Sequence, residues 1–265
     1  MNTIIIAICS VTVIGAVCAI ILSTASKVMA VTEDERVTQV QECLPGSNCG
    51  ACGYPGCSGY AAALASGEND IKNNLCIPGG SAVAQKIAGI LGGEAADTEV
   101  KIAVVHCRGD LSVQQKKMNY TGIQSCTAAK KIFGGEGACA FGCIGYGDCK
   151  IACPSGAICI ENGLARINTT LCTGCGLCVK SCPNKLISVE NESLKNVVLC
   201  KNTEKAAAVR KKCSSGCIAC GRCVRECPSK AVALENNLAK IDYEKCTGCG
   251  HCTEICMPKS IQLYK

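Results

Sequence analysis

The chain has no tryptophan, only two phenylalanines and two histidines, and aromatic residues make up 3% of its 265 positions. So few large side chains cannot fill a core of ordinary size, and something else must hold two to four small domains together. His106 and His251 stand in no nucleophile or metal-ligand constellation, and each is read as a surface or hydrogen-bonded structural residue. The glycine-rich stretches lack the strand, loop and helix spacing of a dinucleotide fingerprint, which argues against NAD or flavin held by this chain itself. No lysine-arginine block interleaved with aromatics occurs, so nucleic acid is not expected as a partner.

What the chain has is cysteine, 28 in all. The run CTGCGLCVKSCP begins at Cys172, CIACGRCVRECP at Cys217, and CTGCGHCTEICMP at Cys246, with Met257 set before Pro258. A looser copy, CAFGCIGYGDCKIACP, begins at Cys139. Three thiolates two residues apart can take three corners of an iron-sulfur cube, while the fourth, thrown onward by the proline turn, ligates the neighbouring cube of a two-cluster module. Structural zinc takes separated Cys-x2-Cys pairs and has no use for the third cysteine, and a disulfide framework suits short secreted chains. The pattern therefore points to 4Fe-4S clusters and electron transfer, with ligation joining segments that bury little apolar surface.

The formal net charge of +6 counts every cysteine as a neutral thiol. Each oxidised cluster with four thiolates carries about −2, so five would add about −10 and leave the loaded protein acidic.

Thr3 to Leu22 form one uncharged apolar run, TIIIAICSVTVIGAVCAIIL. About 20 residues can cross roughly 30 Å of hydrocarbon, and no basic residue precedes the run as it would in a signal peptide. It is read as a single transmembrane helix, and Lys27 and Arg36 after it place the bulk of the chain in the cytoplasm. Cys9 and Cys18 inside it are read as small apolar residues in lipid.

A polar segment leads to NCGACGYPGCSGYAAALASGE from Asn48, with Cys76 further on. Cys49, Cys52, Cys57 and Cys76 can supply four ligands, the last returned by an intervening helix over Tyr60–Ala65 that ends at Gly67. Ile87 to Thr98 reads as a helix end followed by a loop, and KIAVVHC as a strand ending near Cys107. The fold expected is α+β: an anchor over residues 1–26, a small helical 4Fe-4S domain with its connecting segment over 27–98, and two tandem ferredoxin-like modules over 99–191 and 192–265.

The modules are an internal repeat with a shift of 74 residues, in which AICIENGLARINTTLC matches AVALENNLAKIDYEKC. Cys153, Cys172, Cys175, Cys178 and Cys182 map onto Cys227, Cys246, Cys249, Cys252 and Cys256. Crossed ligation pairs Cys139, Cys143 and Cys149 with Cys182, and Cys172, Cys175 and Cys178 with Cys153. In the second module Cys246, Cys249 and Cys252 take Cys227, while Cys217, Cys220 and Cys223 take Cys256 and leave Cys213 spare, the set with Cys213 in place of Cys220 being the alternative. Regular spacing favours Cys217, Cys220 and Cys223; the repeat favours Cys213, which matches Cys139, whereas Cys220 matches Tyr146. Five clusters result, leaving Cys43, Cys107, Cys126, Cys159 and Cys200 as unligated thiols.

The anchor, the NCGACGYPGCSGYAAALASGE group with Cys76, the VVHCRG and CAFGCIGYGDCKIACP segments and two ferredoxin modules occur here in one order, over nearly the whole chain. Together they resemble the B subunits of the Rnf complex, the ion-translocating ferredoxin:NAD oxidoreductase of bacterial membranes. The resemblance implies a cell-membrane, cytoplasm-facing electron-entry subunit that accepts electrons from reduced ferredoxin. It would pass them through 4Fe-4S clusters towards membrane and NAD- or flavin-binding partner subunits, with Na+ or H+ moved by the whole complex. The anchor has no carboxylate or basic residue to form an ion path. The other readings are a membrane-anchored polyferredoxin feeding a different respiratory enzyme, and a scaffold whose clusters only hold the fold. The loose Cys139–Cys149 spacing and Met257 depart from the regular motif.

Overall fold

A computed structural model describes residues 2–28, 34–67, 71–94, 100–193 and 195–264. Helix α1 spans Asn2–Val28. The hydroxyls of Thr12 and Thr24 donate back to the carbonyls of Ile8 and Ile20, at 3.0 and 2.8 Å, so neither presents an unsatisfied polar group to its surroundings. The described apolar side chains of α1, among them Ile6, Val11, Ile14, Ile20 and Leu22, face outward with nothing packed over them. Among the described residues no helix is long and apolar enough to cross a membrane, so the span expected over Thr3–Leu22 is not established by the structure.

A small helical unit follows. Helix α2 (Glu35–Cys43) is capped by Asp34, whose side chain accepts from the Arg36 N–H at 3.0 Å. Helix α3 (Gly56–Ala65) begins four residues earlier than the alanine-rich stretch suggests and stops at Ser66, with Gly67 left-handed behind it. A single 3-10 turn, Ile77–Gly79, leads into α4 (Gly80–Leu91), closed by left-handed Gly92. Val40, Leu44, Tyr60, Leu64 and Ile87 form the core of this unit. Its one large buried aromatic, Tyr60, donates its hydroxyl to the Lys72 carbonyl at 2.7 Å, which satisfies the phenol that burial would otherwise strand. The expected boundary near residue 98 lies outside the described residues.

The rest is mixed helix and strand, built twice. Strand β1 (Lys101–Val105) is followed by α5 (Cys126–Lys131), α6 (Asp148–Ile151), β2 (Ile158–Glu161), β3 (Leu164–Ile167), α7 (Leu177–Ser181) and β4 (Ile187–Asn191). The second copy runs β5 (Asn196–Val198), α8 (Ala206–Lys212), α9 (Arg222–Arg225), β6 (Val232–Glu235), β7 (Leu238–Ile241), α10 (His251–Ile255) and β8 (Ile261–Leu263). In each, the first strand pairs antiparallel with the last, β1 with β4 and β5 with β8, and the middle two form a hairpin. The hairpin turns are two residues long, Asn162-Gly163 and Asn236-Asn237, all four with positive φ, which is the turn whose twist suits two antiparallel strands.

Fully buried Leu164 and Leu186 contribute about 1.5–3 kcal/mol each, yet much of the remaining core is cysteine: Cys149 and Cys178 in the first copy, Cys217, Cys223 and Cys252 in the second. The two copies are joined through a small apolar contact of Val104, Val197, Leu199 and Tyr264. Across it the Tyr264 hydroxyl donates to the Ala103 carbonyl at 2.9 Å, and His106 Nδ1 lies 2.9 Å from the Val198 carbonyl. His106 Nε2 is 2.6 Å from the Ser188 hydroxyl, and burial pushes its pKa down, so the neutral ring with Nδ1–H donating to Val198 and Nε2 accepting from Ser188 fits both partners.

Candidate iron–sulfur sites

The first cysteine group is built on a loop of left-handed residues. Asn48, Gly50, Gly53 and Gly56 all have positive φ, which curls the chain so that Cys49, Cys52 and Cys57 face inward. The Asn48 side-chain oxygen accepts the Cys57 N–H at 2.8 Å and so ties the loop to the start of α3. Cys76 is buried opposite them. A Cβ at Gly79 would lie 3.1 Å from Cys76 Sγ and 2.7 Å from the Val83 side chain, so only glycine lets the 3-10 turn close over the sulfur. Burial pushes the Cys76 thiol up, and so do Cys57, Cys49 and Cys52 beside it, against a hydrogen bond from Gly79.

In the first module Cys153, Cys172 and Cys175 stand near Cys178, and burial, then these three neighbours, push its thiol up to about 11. The Ala103 N–H of β1 points at Cys172 Sγ, 3.3 Å away. In the second module Cys227, Cys246 and Cys249 stand in the same way around Cys252, which reaches about 11 through burial first and their charges next. Cys217, Cys220, Cys223 and Cys256 line one cavity closed by Pro258 and Ile261, and burial carries Cys223 to about 11. Cys220 therefore stands with the regular set, and Cys213 is elsewhere.

The remaining site of the first module differs from the expected one. Its cavity is lined by Cys126, Cys143, Cys149 and Cys182, not by Cys139. No motif spacing links Cys126 to the others, which is why the sequence reading leaves it as an unligated thiol. Asp148 places it there: its carboxylate accepts the N–H groups of Cys126 and Thr127 at 2.8 and 2.9 Å, the Thr127 hydroxyl at 2.8 Å and the Ser125 hydroxyl at 3.0 Å. The start of α5 is thus pinned beside Cys149, whose thiol is pushed up to about 12 by burial and then by Cys143, Cys126 and Cys182. The physical reason for the exchange is in the repeat. Tyr146 occupies the place of Cys220, so the first module lacks a thiol at that corner, and Cys126 supplies one from a separate helix.

Cys139 lines a further cavity together with Cys107, Cys200 and Cys213. By spacing alone Cys107 and Cys200 are likewise unligated, and Cys213 only competes with Cys220. Cys9 and Cys18 are exposed on α1, Cys43 closes α2, and Cys159 is exposed on β2 with its thiol directed at Glu161 Oε1, 3.4 Å away. His251 lies 3.6 Å from Glu226 on the surface.

The donor sets fit cuboidal clusters. Two of the groups of four thiols, Cys126, Cys143, Cys149 and Cys182, and Cys217, Cys220, Cys223 and Cys256, stand around a cavity. Backbone N–H groups point at sulfurs of the donor sets: besides Ala103, Leu186 donates to Cys182 at 3.4 Å and Ala231 to Cys227 at 3.3 Å. Such donors suit a thiolate, and the iron's positive charge supplies what a thiol pushed to about 11 or 12 needs in order to ionise.

Family models match three stretches: a putative Fe-S cluster domain over residues 44–78, and 4Fe-4S dicluster domains over 171–231 and 208–257. The chain is 42% identical to the B subunit of the proton-translocating ferredoxin:NAD(+) oxidoreductase complex of Clostridium ljungdahlii, over 93% of this chain and 87% of that one. It is 40% identical to the B subunit of the Na(+)-translocating complex of Acetobacterium woodii, over 93% of this chain and 74% of that one. It is 36% identical to the B subunit of the ion-translocating oxidoreductase complex of Methanosarcina acetivorans, over 94% of each. The chain belongs to the family of Rnf B subunits. The three matched stretches include neither Cys107, Cys126 nor Cys139; Cys139 is already marked by its motif, whereas the cavity positions of Cys107 and Cys126 come from the structure.

Proposed function

We propose that the chain is the electron-carrying B subunit of a membrane complex that oxidises reduced ferredoxin, reduces NAD+ and translocates Na+ or H+. Residues 1–26 form the anchor, 27–98 the first cluster domain with its connecting segment, and 99–191 and 192–265 the two ferredoxin-like modules. The observation that carries the reading is that the cysteine groups stand in fours and adjoin one another. Cys149 and Cys178, from the two groups of the first module, lie near enough to act on each other's charge, as do Cys223 and Cys252 in the second. A Cβ at Gly174, next to Cys175, would touch the Ile77 side chain, next to Cys76, so the first group abuts the first module.

Five clusters are assigned: Cys49, Cys52, Cys57 and Cys76; Cys126, Cys143, Cys149 and Cys182; Cys153, Cys172, Cys175 and Cys178; Cys217, Cys220, Cys223 and Cys256; and Cys227, Cys246, Cys249 and Cys252. When bound, such clusters take and give single electrons, which suits ferredoxin on one side and flavin- or NAD-binding subunits on the other. Within the chain, the cysteines fix the positions and the N–H donors at Cys172, Cys182 and Cys227 favour the more negative, reduced state.

The anchor rests on α1, a 27-residue helix whose described isoleucines, valines and leucines face outward on every side, an arrangement that lipid tolerates and water does not. The test is purification of the membrane complex under anaerobic conditions, followed by ferredoxin-dependent NAD+ reduction with and without this subunit. Loss of activity without it, together with reduction of its clusters by ferredoxin, supports the assignment. Clusters that ferredoxin leaves oxidised in the intact complex would reduce the chain to a scaffold.

A further inference from the structure

Four thiols that no sequence motif connects face one cavity where the two modules meet. Cys107 follows β1, Cys139 opens the loose motif, Cys200 follows β5, and Cys213 follows α8. None is within three residues of another, which is why spacing could not reveal them.

Their arrangement has the symmetry of the repeat. Cys107 lies two residues beyond the end of β1, and Cys200 two residues beyond the end of β5. Cys139 and Cys213 are related by the 74-residue shift. The Cys143 N–H donates to Cys107 Sγ at 3.4 Å, and its repeat equivalent, the Cys217 N–H, donates to Cys200 Sγ at the same distance. Each module thus gives two thiols in matching positions, so the cavity is a pseudo-twofold site that neither module could form alone.

The surroundings are those of the regular sites. The cavity is about 20 Å³, the same size as the two lined by the assigned sets. Further donors aim at the sulfurs: the Gly109 N–H at Cys107 and Asn202 Nδ2 at Cys139, each at 3.4 Å. A Cβ at Gly109 would lie 3.4 Å from Cys213 Sγ and 3.7 Å from Cys107 Sγ, so glycine leaves room beside both. Arg108 and Lys201 also border the cavity, and their positive charge would offset part of the negative charge of a cluster with four thiolates.

We infer that Cys107, Cys139, Cys200 and Cys213 bind a sixth 4Fe-4S cluster at the interface of the two modules. The inference rests on the five-cluster reading, since it takes the chain to be loaded with iron and sulfide. The site adjoins Cys143 of the first module and Cys217 of the second, and so lies directly between their assigned clusters.

The test is iron and sulfide analysis of the full-length chain, loaded anaerobically, with Mössbauer spectra of wild type, Cys213→Ser and Cys200→Ser. Six sites give about 24 iron and 24 sulfide, and either variant loses about four of each while the spectrum keeps the remainder as intact cuboidal clusters. A wild-type content near about 20, unchanged in both variants, would overturn the sixth site and leave the other five standing. Zinc at one equivalent beside about 20 iron would overturn it equally. Little iron or sulfide in the wild type would sink the cluster reading as a whole.

Discussion

The backbone N–H of Cys217 donates to Sγ of Cys200 at 3.4 Å, across the boundary between a regular ferredoxin motif and a cysteine outside any motif. In the ligand sets proposed above, the same peptide belongs to one cluster's ligand and points at another's, so the two sites would share a piece of backbone. Cys143 and Cys107 repeat the relationship in the first module. Shared backbone keeps adjacent sites at fixed separation, which transfer of single electrons requires.

Donors to sulfur tune potential, and Asn202 offers a side chain to test this. It is buried and directs Nδ2 at Cys139 Sγ. An N–H···S bond stabilises the reduced state, whose charge is more negative. Asn202→Leu should therefore make one midpoint potential more negative by tens of millivolts, since about 1 kcal/mol corresponds to about 40 mV for one electron. Redox titration followed by EPR reads the shift. An unchanged set of potentials would separate Asn202 from any cluster.

Asp148 predicts a pH dependence. Burial pushes its carboxyl up, but hydrogen bonds from Thr127, Cys126 and Ser125 outweigh this and hold it below the usual carboxylate range. A depressed folded-state pKa contributes stability that is fully present above the unfolded value, about 3.9, and is lost as pH falls through the lower folded value. Asp148→Asn should lower stability by about 1–3 kcal/mol, because donors at the start of α5 lose a charged acceptor. The gap to wild type should be the same at pH 7 and pH 5 and close only below about pH 4. Urea unfolding of the iron-loaded protein at each pH measures it; a gap that already narrows between pH 7 and pH 5 points to another group.

What is legible in the sequence follows from how local the signal is. Cys172, Cys175 and Cys178 sit on one loop and turn, so their spacing alone brings them together, and Asn162-Gly163 marks its hairpin for the same reason. Cys126 reaches its cavity only because Asp148, 22 residues on, grips the start of α5, and no spacing rule encodes such a grip. The 74-residue repeat does pair Cys139 with Cys213, and that signal is sound. Its meaning stays hidden as long as ligands are sought within each module, because these two face each other between modules. The start of α3 at Gly56 is hidden because Pro55 and the glycines before Tyr60 read as loop, while the Asn48 bond to Cys57 initiates the helix.

The helix α1 and the cluster-bearing part use separate stretches of chain. Removal of residues 1–28 should give a coloured protein that stays in the supernatant after ultracentrifugation, whereas the full chain sediments with membranes. Its iron content should equal that of the full chain, as neither Cys9 nor Cys18 belongs to a group. Iron lost in proportion to the deletion would mean that α1 contributes to a site.

The exchange between Tyr146 and Cys126 can be reversed. The loops around positions 146 and 220 follow the same path, with positive φ at Gly145 and Gly147 in one and at Ala219 and Gly221 in the other. A cysteine at 146 would thus enter its cavity as Cys220 enters the equivalent one. Cys126→Ser alone should remove up to about four iron, because serine oxygen is a poor ligand in a thiolate site. Adding Tyr146→Cys should restore them, at some cost in stability, since the Tyr146 ring packs against Tyr120 with centroids 5.8 Å apart. Cys159→Ser serves as a control that should change nothing, the thiol being exposed on β2. Iron analysis of the four proteins decides the matter: full iron in Cys126→Ser would remove Cys126 from the ligand set, and a double variant no better than the single one would show that the two modules do not share the geometry of this corner.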